Sequence, residues 1–185
     1  RGERRIAFPA FDRLGEQFMK VLLVEDEKLI RLFIVEYFSK QGAAVVEASD
    51  GYEALSLLDE TYDIVLLDIM MPKIDGYAVC EFIRKKSRIP IIMLTAMDEE
   101  EAQIRAFELQ VDDYITKPFS LKLVLMRIEA VLRRIKEKSE KQKILSAQGI
   151  ELNKDSHEVY KNGAPVNLTQ LEFELLLTFL NHKNQ

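Results

Sequence analysis

Asp68 is the first residue to which the sequence assigns chemistry. It lies near the end of an apolar run of strand length, which spans residues 63–72. A strand that is apolar at every position is covered on both faces, as in a parallel sheet flanked by helices. Ligands bind just beyond the carboxyl ends of such strands, so the Asp68 carboxylate is predicted at the functional edge of a sheet. The alternative for a lone aspartate is a solvated side chain at a strand end.

Four further residues follow apolar runs in the same way. Glu25 and Asp26 come after the first run, Thr95 after a later one, and Lys117 after the last. Because parallel strand ends converge, three carboxylates are expected to crowd together, which is costly unless a divalent cation or a lysine joins them. Mg²⁺ prefers such oxygen ligands and leaves room for a phosphoryl oxygen. With Lys117 as a second positive charge and Thr95 as a hydroxyl donor, the pattern indicates a phosphoryl-accepting site with Asp68 as nucleophile.

Each of these residues has a plainer interpretation when it is taken singly. An acidic residue or Thr95 after a strand is often a helix cap, and Lys117 could be a solvated loop lysine. Their order and their shared position at strand ends favour a joint site. The bond between Lys117 and Pro118 is also a natural place for a cis peptide that aims the lysine inward.

The elements that must position these residues alternate along the chain. Strands are predicted over 21–24, 44–47, 64–67, 90–94 and 114–115, and helices over 27–40, 51–60, 75–86, 98–110 and 120–137. Gly42 is expected to cap the first helix in a left-handed conformation, Asp50 with Glu53 resembles a capping box, and Pro72 with Gly76 marks a turn. Five βα units in succession predict an α/β fold with a doubly wound, five-stranded parallel sheet.

The pattern changes after Arg134. Residues 1–18 are interpreted as a leader or upstream extension, 19–137 as the α/β domain, and 138–147 as a linker. The charged stretch 136–143 is interpreted as a linker or a fraying helix end. Residues 148–185 begin a second domain, with a small antiparallel meander whose last two strands flank Asn162-Gly163. Thr169 with Glu172 forms a predicted capping box for a helix with apolar residues at helical spacing.

Composition excludes several kinds of function. The chain has 185 residues and is 48% hydrophobic, which is ample for a packed core, but no apolar run approaches the length of a membrane span. A cytoplasmic protein with no membrane partner is inferred. The single cysteine, Cys80, excludes an intrachain disulfide, and two scattered histidines do not form a metal site. A net charge of −5 argues against binding nucleic acid through bulk charge.

Four motifs together resemble one protein family. They are residues 21–27, residues 63–76 around Asp68, residues 91–96 with Thr95, and residues 112–119 with Lys117. In this order they are similar to the motifs of a response regulator of two-component signalling, of the OmpR/PhoB-like subfamily with a receiver domain before a winged-helix DNA-binding domain. The resemblance covers about residues 19–137 and implies a CheY/flavodoxin-like receiver fold.

The resemblance also implies roles for the site residues. Asp68 corresponds to the phospho-acceptor, Asp26 to a direct Mg²⁺ ligand and Glu25 to its acidic partner. The backbone carbonyl of Met70 is implied as a further ligand. Thr95 and Tyr114 correspond to a switch pair, in which the hydroxyl turns toward the phosphoryl group and the ring swings inward. The implied partners are a sensor histidine kinase, a second copy of the chain on phosphorylation, and promoter DNA.

The second domain matches this subfamily in part. Residues 149–167 resemble the first sheet of the winged-helix domain, and residues 168–177 resemble its first helix. The recognition helix is expected after Gln185. Because major-groove readout needs that helix, the 185-residue chain is expected to bind DNA weakly or not at all, whereas the full-length protein binds promoter DNA.

A dimer face is implied by the same subfamily, in which the fourth helix, fifth strand and fifth helix pair two receivers. The charged residues that could supply its ion pairs are Asp112, Asp113, Arg127 and Arg134.

At this face the chain departs from the subfamily pattern. Gln103 stands where a basic residue is usual, Leu123 where its acidic partner is usual, and Ala106 where glycine is common. Loss of both ionic partners leaves no orphan charge, so the face is predicted to exchange one ion pair for apolar contact, with Leu123 pointing outward. We expect a less salt-sensitive dimer.

The expected function is a phosphorylation-controlled regulator that is not an enzyme in the ordinary sense. Two other functions are the alternatives. A haloacid-dehalogenase-like phosphatase also uses a strand-end aspartate with Mg²⁺, but it normally has a second aspartate where Met70 stands. A receiver that acts without phosphorylation, as an adaptor, usually lacks an acidic-pair member, the threonine or the lysine. All of these are present here.

Overall fold

The computed structural model describes residues 19–96, 104–105 and 107–183. Most of the helix predicted over 98–110 therefore lies outside the described residues, as do the leader 1–18, Gln103 and Ala106. The chain divides into two compact units between Leu132 and Arg133. The elements, in chain order, are β1 (Lys20–Val24), α1 (Lys28–Lys40), β2 (Ala44–Ala48), α2 (Gly51–Leu57), β3 (Ile64–Asp68), α3 (Gly76–Lys86), β4 (Ile91–Thr95), β5 (Asp113–Thr116), α4 (Leu121–Lys143), β6 (Ile144–Ala147), β7 (Ile150–Asn153), β8 (Val159–Lys161), β9 (Ala164–Val166) and α5 (Gln170–Lys183).

The first unit is built on a five-stranded sheet in the order β2-β1-β3-β4-β5, and each pair of neighbours is parallel. Every residue of β3 and β4 is buried. Alternate side chains enter two separate cores, with Leu22 and Val65 on one face and Leu23 and Leu66 on the other. Coverage of both faces explains why these strands are apolar at nearly every position. The predicted doubly wound α/β fold is confirmed.

Short polar contacts fix where the helices begin. Asp50 accepts a hydrogen bond from the Glu53 N–H at 3.0 Å, and Asp75 accepts one from the Ala78 N–H at 2.8 Å. The Glu53 carboxylate reaches Ser49 instead of Asp50, so the predicted capping box is displaced by one residue. Each N-cap pairs an N–H group that the helix itself leaves without a partner.

The second unit contains a four-stranded antiparallel sheet in the order β6-β7-β8-β9. The predicted meander forms β7 to β9, and Asn162 and Gly163 both have positive φ, as a tight hairpin turn requires. α5 packs on this sheet through a small core that includes Leu152, Val159 and Phe173. Its predicted capping box is confirmed, because the Thr169 N–H donates to Glu172 at 2.8 Å.

Part of the segment 138–147 is corrected by the structure. Residues 138–143 are the end of α4, which is the helix-end alternative, whereas residues 144–147, predicted as linker, form β6, which pairs with β7. Helical spacing therefore persists through the lysine-rich and glutamate-rich sequence. Within the described ranges, no helix is both long enough and apolar enough to cross a bilayer.

Candidate functional site

The carboxyl ends of four parallel strands bring the predicted site residues to one edge of the sheet. Asp68 is the last residue of β3 and Thr95 is the last residue of β4. Glu25 and Asp26 come directly after β1, and Lys117 comes directly after β5. This edge is where open α/β sheets bind their ligands.

Three carboxylates meet there. Glu25, Asp26 and Asp68 each place one oxygen within 4.8 Å of the others. Glu25 and Asp68 are buried, with exposures of 0% and 2%, and Asp26 is half-buried. Like charges at this separation, shielded from water, repel strongly and require a cation.

Lys117 provides part of that positive charge. Its Nζ lies 2.9 Å from Asp68 Oδ2, 3.0 Å from Glu25 Oε1 and 2.9 Å from Glu25 Oε2. Burial acts to lower the pKa of Lys117, but the hydrogen bonds that it donates to the two carboxylates outweigh burial and raise its pKa above 10.5. Lys117 is therefore an ammonium ion at neutral pH. The Lys117–Pro118 peptide bond is cis, as the sequence suggests.

Glu25 shows that one ammonium is insufficient for two buried carboxylates. Burial raises the pKa of the Glu25 carboxyl from 4.5 to about 7. The hydrogen bond from Lys117 opposes this rise and the charge of Asp68 adds to it. Glu25 Oε2 is buried and accepts no hydrogen bond from any described residue, although Lys117 Nζ is close. This oxygen is suited to a water molecule or a cation.

The donor set fits a divalent cation. With all three carboxylates ionised, the cluster and the Lys117 ammonium would carry a net charge of −2, which one such cation neutralises. All three side chains offer the hard oxygen atoms that Mg²⁺ and Ca²⁺ prefer.

Backbone contacts hold Asp68 in place. Its Oδ1 accepts a hydrogen bond from the Met70 N–H at 3.2 Å, while its Oδ2 is paired with Lys117. Gly76 lies directly against the Asp68 main chain, since a Cβ added at Gly76 would be 2.2 Å from the Asp68 carbonyl oxygen. The turn after β3 therefore closes only because residue 76 has no side chain.

Arg31 is a residue of this region that the sequence reasoning missed. Its Nη1 donates to the backbone carbonyls of Glu25 at 2.5 Å and Asp26 at 3.2 Å, and its Nε lies 3.3 Å from Glu47 Oε2. Its hydrogen bonds go to backbone carbonyls, so no side-chain pattern in the sequence identified this contact.

The geometry agrees with the comparisons to known proteins. A family model described as the response regulator receiver domain matches residues 21–129. The chain belongs to this family. Among curated relatives of this response regulator, a probable transcriptional regulator ycf27 of Guillardia theta is 46% identical over 175 residues, which cover 90% of this chain and 68% of that protein. The transcriptional regulatory protein ResD of Bacillus subtilis (strain 168) is 42% identical over 164 residues, which cover 85% of this chain and 68% of that protein.

A solved structure extends the likeness into the second unit. DrrB of Thermotoga maritima, an OmpR/PhoB homolog, is 27% identical with a TM-score of 0.52, and the match covers 90% of this chain and 74% of that chain. The response regulator is therefore of the OmpR/PhoB type, with a receiver followed by the sheet and helix that begin a winged-helix domain.

The residues predicted as a switch pair lie on neighbouring strands of this response regulator. On β4, Thr95 is opposite Thr116 of β5. Met93, two residues before Thr95, is opposite Tyr114. Because side chains two residues apart on a strand share a face, Thr95 and Tyr114 are on the same face of the sheet. Thr95 is buried, whereas Tyr114 is 38% exposed.

The charged residues predicted for the dimer face have partners within the chain. Asp112 pairs with Arg84 at 2.9 Å and accepts a hydrogen bond from the Ile91 N–H at 2.9 Å. The Asp112 carboxylate therefore joins the starts of β4 and β5, and its role in a dimer face stays a prediction. Asp113 pairs with Arg127 at 3.2 Å.

The apolar part of that face is as expected for α4. Leu123 is 42% exposed and Met126 is 56% exposed, while Val124 and Leu125 are buried. Arg134 is exposed and lies beyond the division between the two units.

Proposed function

We propose that this response regulator receives a phosphoryl group on Asp68 from a sensor histidine kinase, with Mg²⁺ bound, and that phosphorylation controls dimerisation and transcription. The observation that carries the proposal is the position of Lys117, whose ammonium lies 2.9 Å from Asp68 and 2.9 Å from Glu25 at the strand ends. In the reaction an Asp68 oxygen bonds to phosphorus, the phosphorus–nitrogen bond of phosphohistidine breaks, and the departing imidazole takes up a proton. The acceptor is consumed once per event, so the protein is not an enzyme in the ordinary sense.

The metal proposal rests on the charge and oxygen atoms of the cluster. Asp26, Asp68 and the Met70 carbonyl are the proposed direct ligands, and Glu25 is the proposed indirect ligand through water. The buried Glu25 Oε2, which accepts no hydrogen bond from the described residues, supports this assignment. When bound, Mg²⁺ supplies positive charge that neutralises the phosphoryl oxygens.

The side chains of the protein do the remaining work. Lys117 moves its ammonium from Asp68 to a phosphoryl oxygen once the Asp68 carboxylate becomes an acyl phosphate and loses its negative charge. The Met70 N–H, which donates to Asp68 Oδ1, keeps the carboxyl group oriented during attack. Burial of Asp68 limits access of water to the acyl phosphate.

The phosphoryl group is read by Thr95 and Tyr114. Their shared sheet face supports a coupled movement, in which the Thr95 hydroxyl donates to the phosphoryl group and the Tyr114 ring moves inward. The residues proposed for the dimer face are Asp112, Asp113, Leu123, Arg127 and Arg134. Dimerisation then aligns two winged-helix domains of the full-length protein on promoter DNA, and we place this event in the cytoplasm.

A phosphodonor experiment tests the proposal. The chain is incubated with acetyl phosphate and Mg²⁺, and the intact mass is measured over time. We expect the mass to rise by one phosphoryl group in the wild type and in Asp59→Asn, a matched change at an exposed carboxylate of the same unit. We expect no rise in Asp68→Asn or when EDTA is present.

The other outcomes separate the alternatives. Continuous release of phosphate without a lasting mass increase would indicate a phosphatase, and no reaction would indicate an adaptor. Phosphorylation that persists in Asp68→Asn would reject Asp68 as the acceptor.

A further inference from the structure

The guanidinium of Arg31 contacts the two residues that carry the acidic pair, but through their main chain. Nη1 donates to the carbonyls of Glu25 and Asp26, and the side chain is only 14% exposed. Arg31 therefore fixes the orientation of two consecutive peptide groups. The Glu25 and Asp26 carboxylates are attached to the same backbone, so their directions depend on those peptide groups.

The loop between β1 and α1 has few other restraints. Within the part of the chain that the structure describes, the N-cap residue Glu27 makes no side-chain capping hydrogen bond, and the first turn of α1 has no acidic residue. The Glu25 N–H donates to the Ala48 carbonyl at 3.1 Å, and the Arg31 N–H donates to the Glu27 carbonyl at 3.0 Å. Arg31 thus supplies a restraint that a capping side chain supplies elsewhere.

Glu47 in turn orients Arg31. Glu47 Oε2 lies 3.3 Å from Arg31 Nε, whereas the loop carbonyls are contacted by Nη1, so the two contacts use separate nitrogen donors of one guanidinium. Glu47 belongs to β2, which is paired in register with β1. The acidic loop is therefore tied back to the sheet through Glu47 and Arg31.

We infer that Arg31 is a positioning residue that raises the affinity of the acidic pair for a divalent cation, an inference that rests on the proposed function. Removing Arg31 has two opposing effects on the affinity for the cation. Removing a positive charge near a cation site should tighten cation binding by simple electrostatics. Releasing the loop backbone should weaken it, because residues that orient metal ligands typically contribute 10- to 100-fold in affinity. Two carbonyl contacts from a nearly buried side chain favour the second effect.

Calorimetric titration of the full chain with MgCl₂ tests the inference without using phosphorylation. Arg31→Met keeps the apolar stem of the side chain but removes the charge and the donors. Arg31→Lys keeps the charge but loses the planar fork. Glu47→Gln keeps Arg31 and removes the ion pair. Lys40→Met is the matched control, because Lys40 is an exposed cation at the far end of the same helix. A thermal melt of each variant shows that it is folded.

We expect Mg²⁺ affinity to fall about 10- to 100-fold in Arg31→Met and in Arg31→Lys, to fall less in Glu47→Gln, and to be unchanged in Lys40→Met. Unchanged or tighter binding in Arg31→Met would overturn the inference. If Arg31→Met does not fold, unchanged binding in Arg31→Lys and Glu47→Gln would overturn it. Asp26→Asn separates the two proposals: if wild type and Asp26→Asn bind Mg²⁺ equally, the metal site itself is rejected.

Discussion

Replacing Lys117 with methionine removes the one cation that Glu25 and Asp68 share among the described residues. Methionine keeps most of the length of the side chain, so the change isolates the charge. With no Mg²⁺ present, two buried carboxylates then face each other and the half-buried Asp26 without compensation.

The size of the effect follows from burial. Removing one partner of a buried ion pair typically costs about 3–5 kcal/mol in the free energy of unfolding. The lower end applies here, because Glu25 can take up a proton instead of remaining charged. Its pKa is already about 7 with Lys117 in place, and Lys117 acts to lower it. We therefore expect a loss of about 3 kcal/mol at neutral pH and above.

The Glu25 carboxyl group determines how the free energy of unfolding changes with pH. A carboxyl group whose pKa is 4.5 when unfolded and about 7 when folded binds more protons in the folded state between those values. The free energy of unfolding therefore falls as the pH rises through this window. Without Lys117 the pKa of the folded-state Glu25 carboxyl rises further, so the pH range over which the free energy of unfolding falls extends above pH 7 in the variant. The variant and the wild type therefore differ least in the free energy of unfolding at acidic pH.

Urea unfolding in EDTA, monitored by circular dichroism, tests this prediction. The free energy of unfolding is measured at mildly acidic and at mildly alkaline pH. The transition of the receiver unit is fitted separately, because the chain has two units. Lys40→Met is the control, since an exposed helical pair such as Lys40–Glu36 contributes only about 0.3–0.5 kcal/mol. Equal losses in the two variants, or a Lys117→Met loss that grows in acid, would refute the reasoning.

Three further predictions follow from individual contacts. Gly76→Ala should destabilise the receiver and slow phosphorylation by acetyl phosphate, because the new Cβ would be 2.2 Å from the Asp68 carbonyl oxygen; wild-type phosphorylation kinetics would contradict this. Arg84→Ala should lower the free energy of unfolding by about 1–3 kcal/mol, since Asp112 loses its ion pair with the guanidinium, yet leave Mg²⁺ affinity unchanged in calorimetry. Leu123→Glu should raise the dimer dissociation constant of the phosphorylated chain in sedimentation, whereas Lys122→Glu, at the adjacent exposed position, should raise it less; equal effects would argue against an apolar contact at residue 123.

The sheet and the site were predictable because one physical condition determines both. Strands covered on both faces must be apolar, so β3 and β4 stand out in the sequence, and their polar end residues Asp68 and Thr95 stand out with them. Parallel pairing then brings those ends together whatever the intervening loops contain. The convergence of Lys117 on Glu25, 92 residues away, follows from the same topology.

The missed features depend on contacts that no local pattern encodes. β6 was taken for part of a linker because the preceding segment is highly charged, and because its hairpin turns at Gln148 and Gly149, both with positive φ, without the usual asparagine. The ion pair of Asp112 within the chain was not predicted, because its partner Arg84 is 28 residues away on α3. Arg31 contacts backbone carbonyls, which every residue has and no sequence pattern distinguishes.

The two ends of β4 and β5 are held by different contacts, of which the Arg84–Asp112 ion pair is one. At the amino-terminal end, Ile91 and Asp112 exchange two hydrogen bonds and Arg84 adds an ionic contact. At the carboxyl-terminal end, the last backbone bond joins the Lys117 N–H to the Thr95 carbonyl, beside the group that titrates near neutral pH. Amide hydrogen exchange at the two ends should therefore respond to different substitutions: Arg84→Ala should accelerate exchange at the Ile91 N–H, and Lys117→Met should accelerate it at the N–H of residue 117.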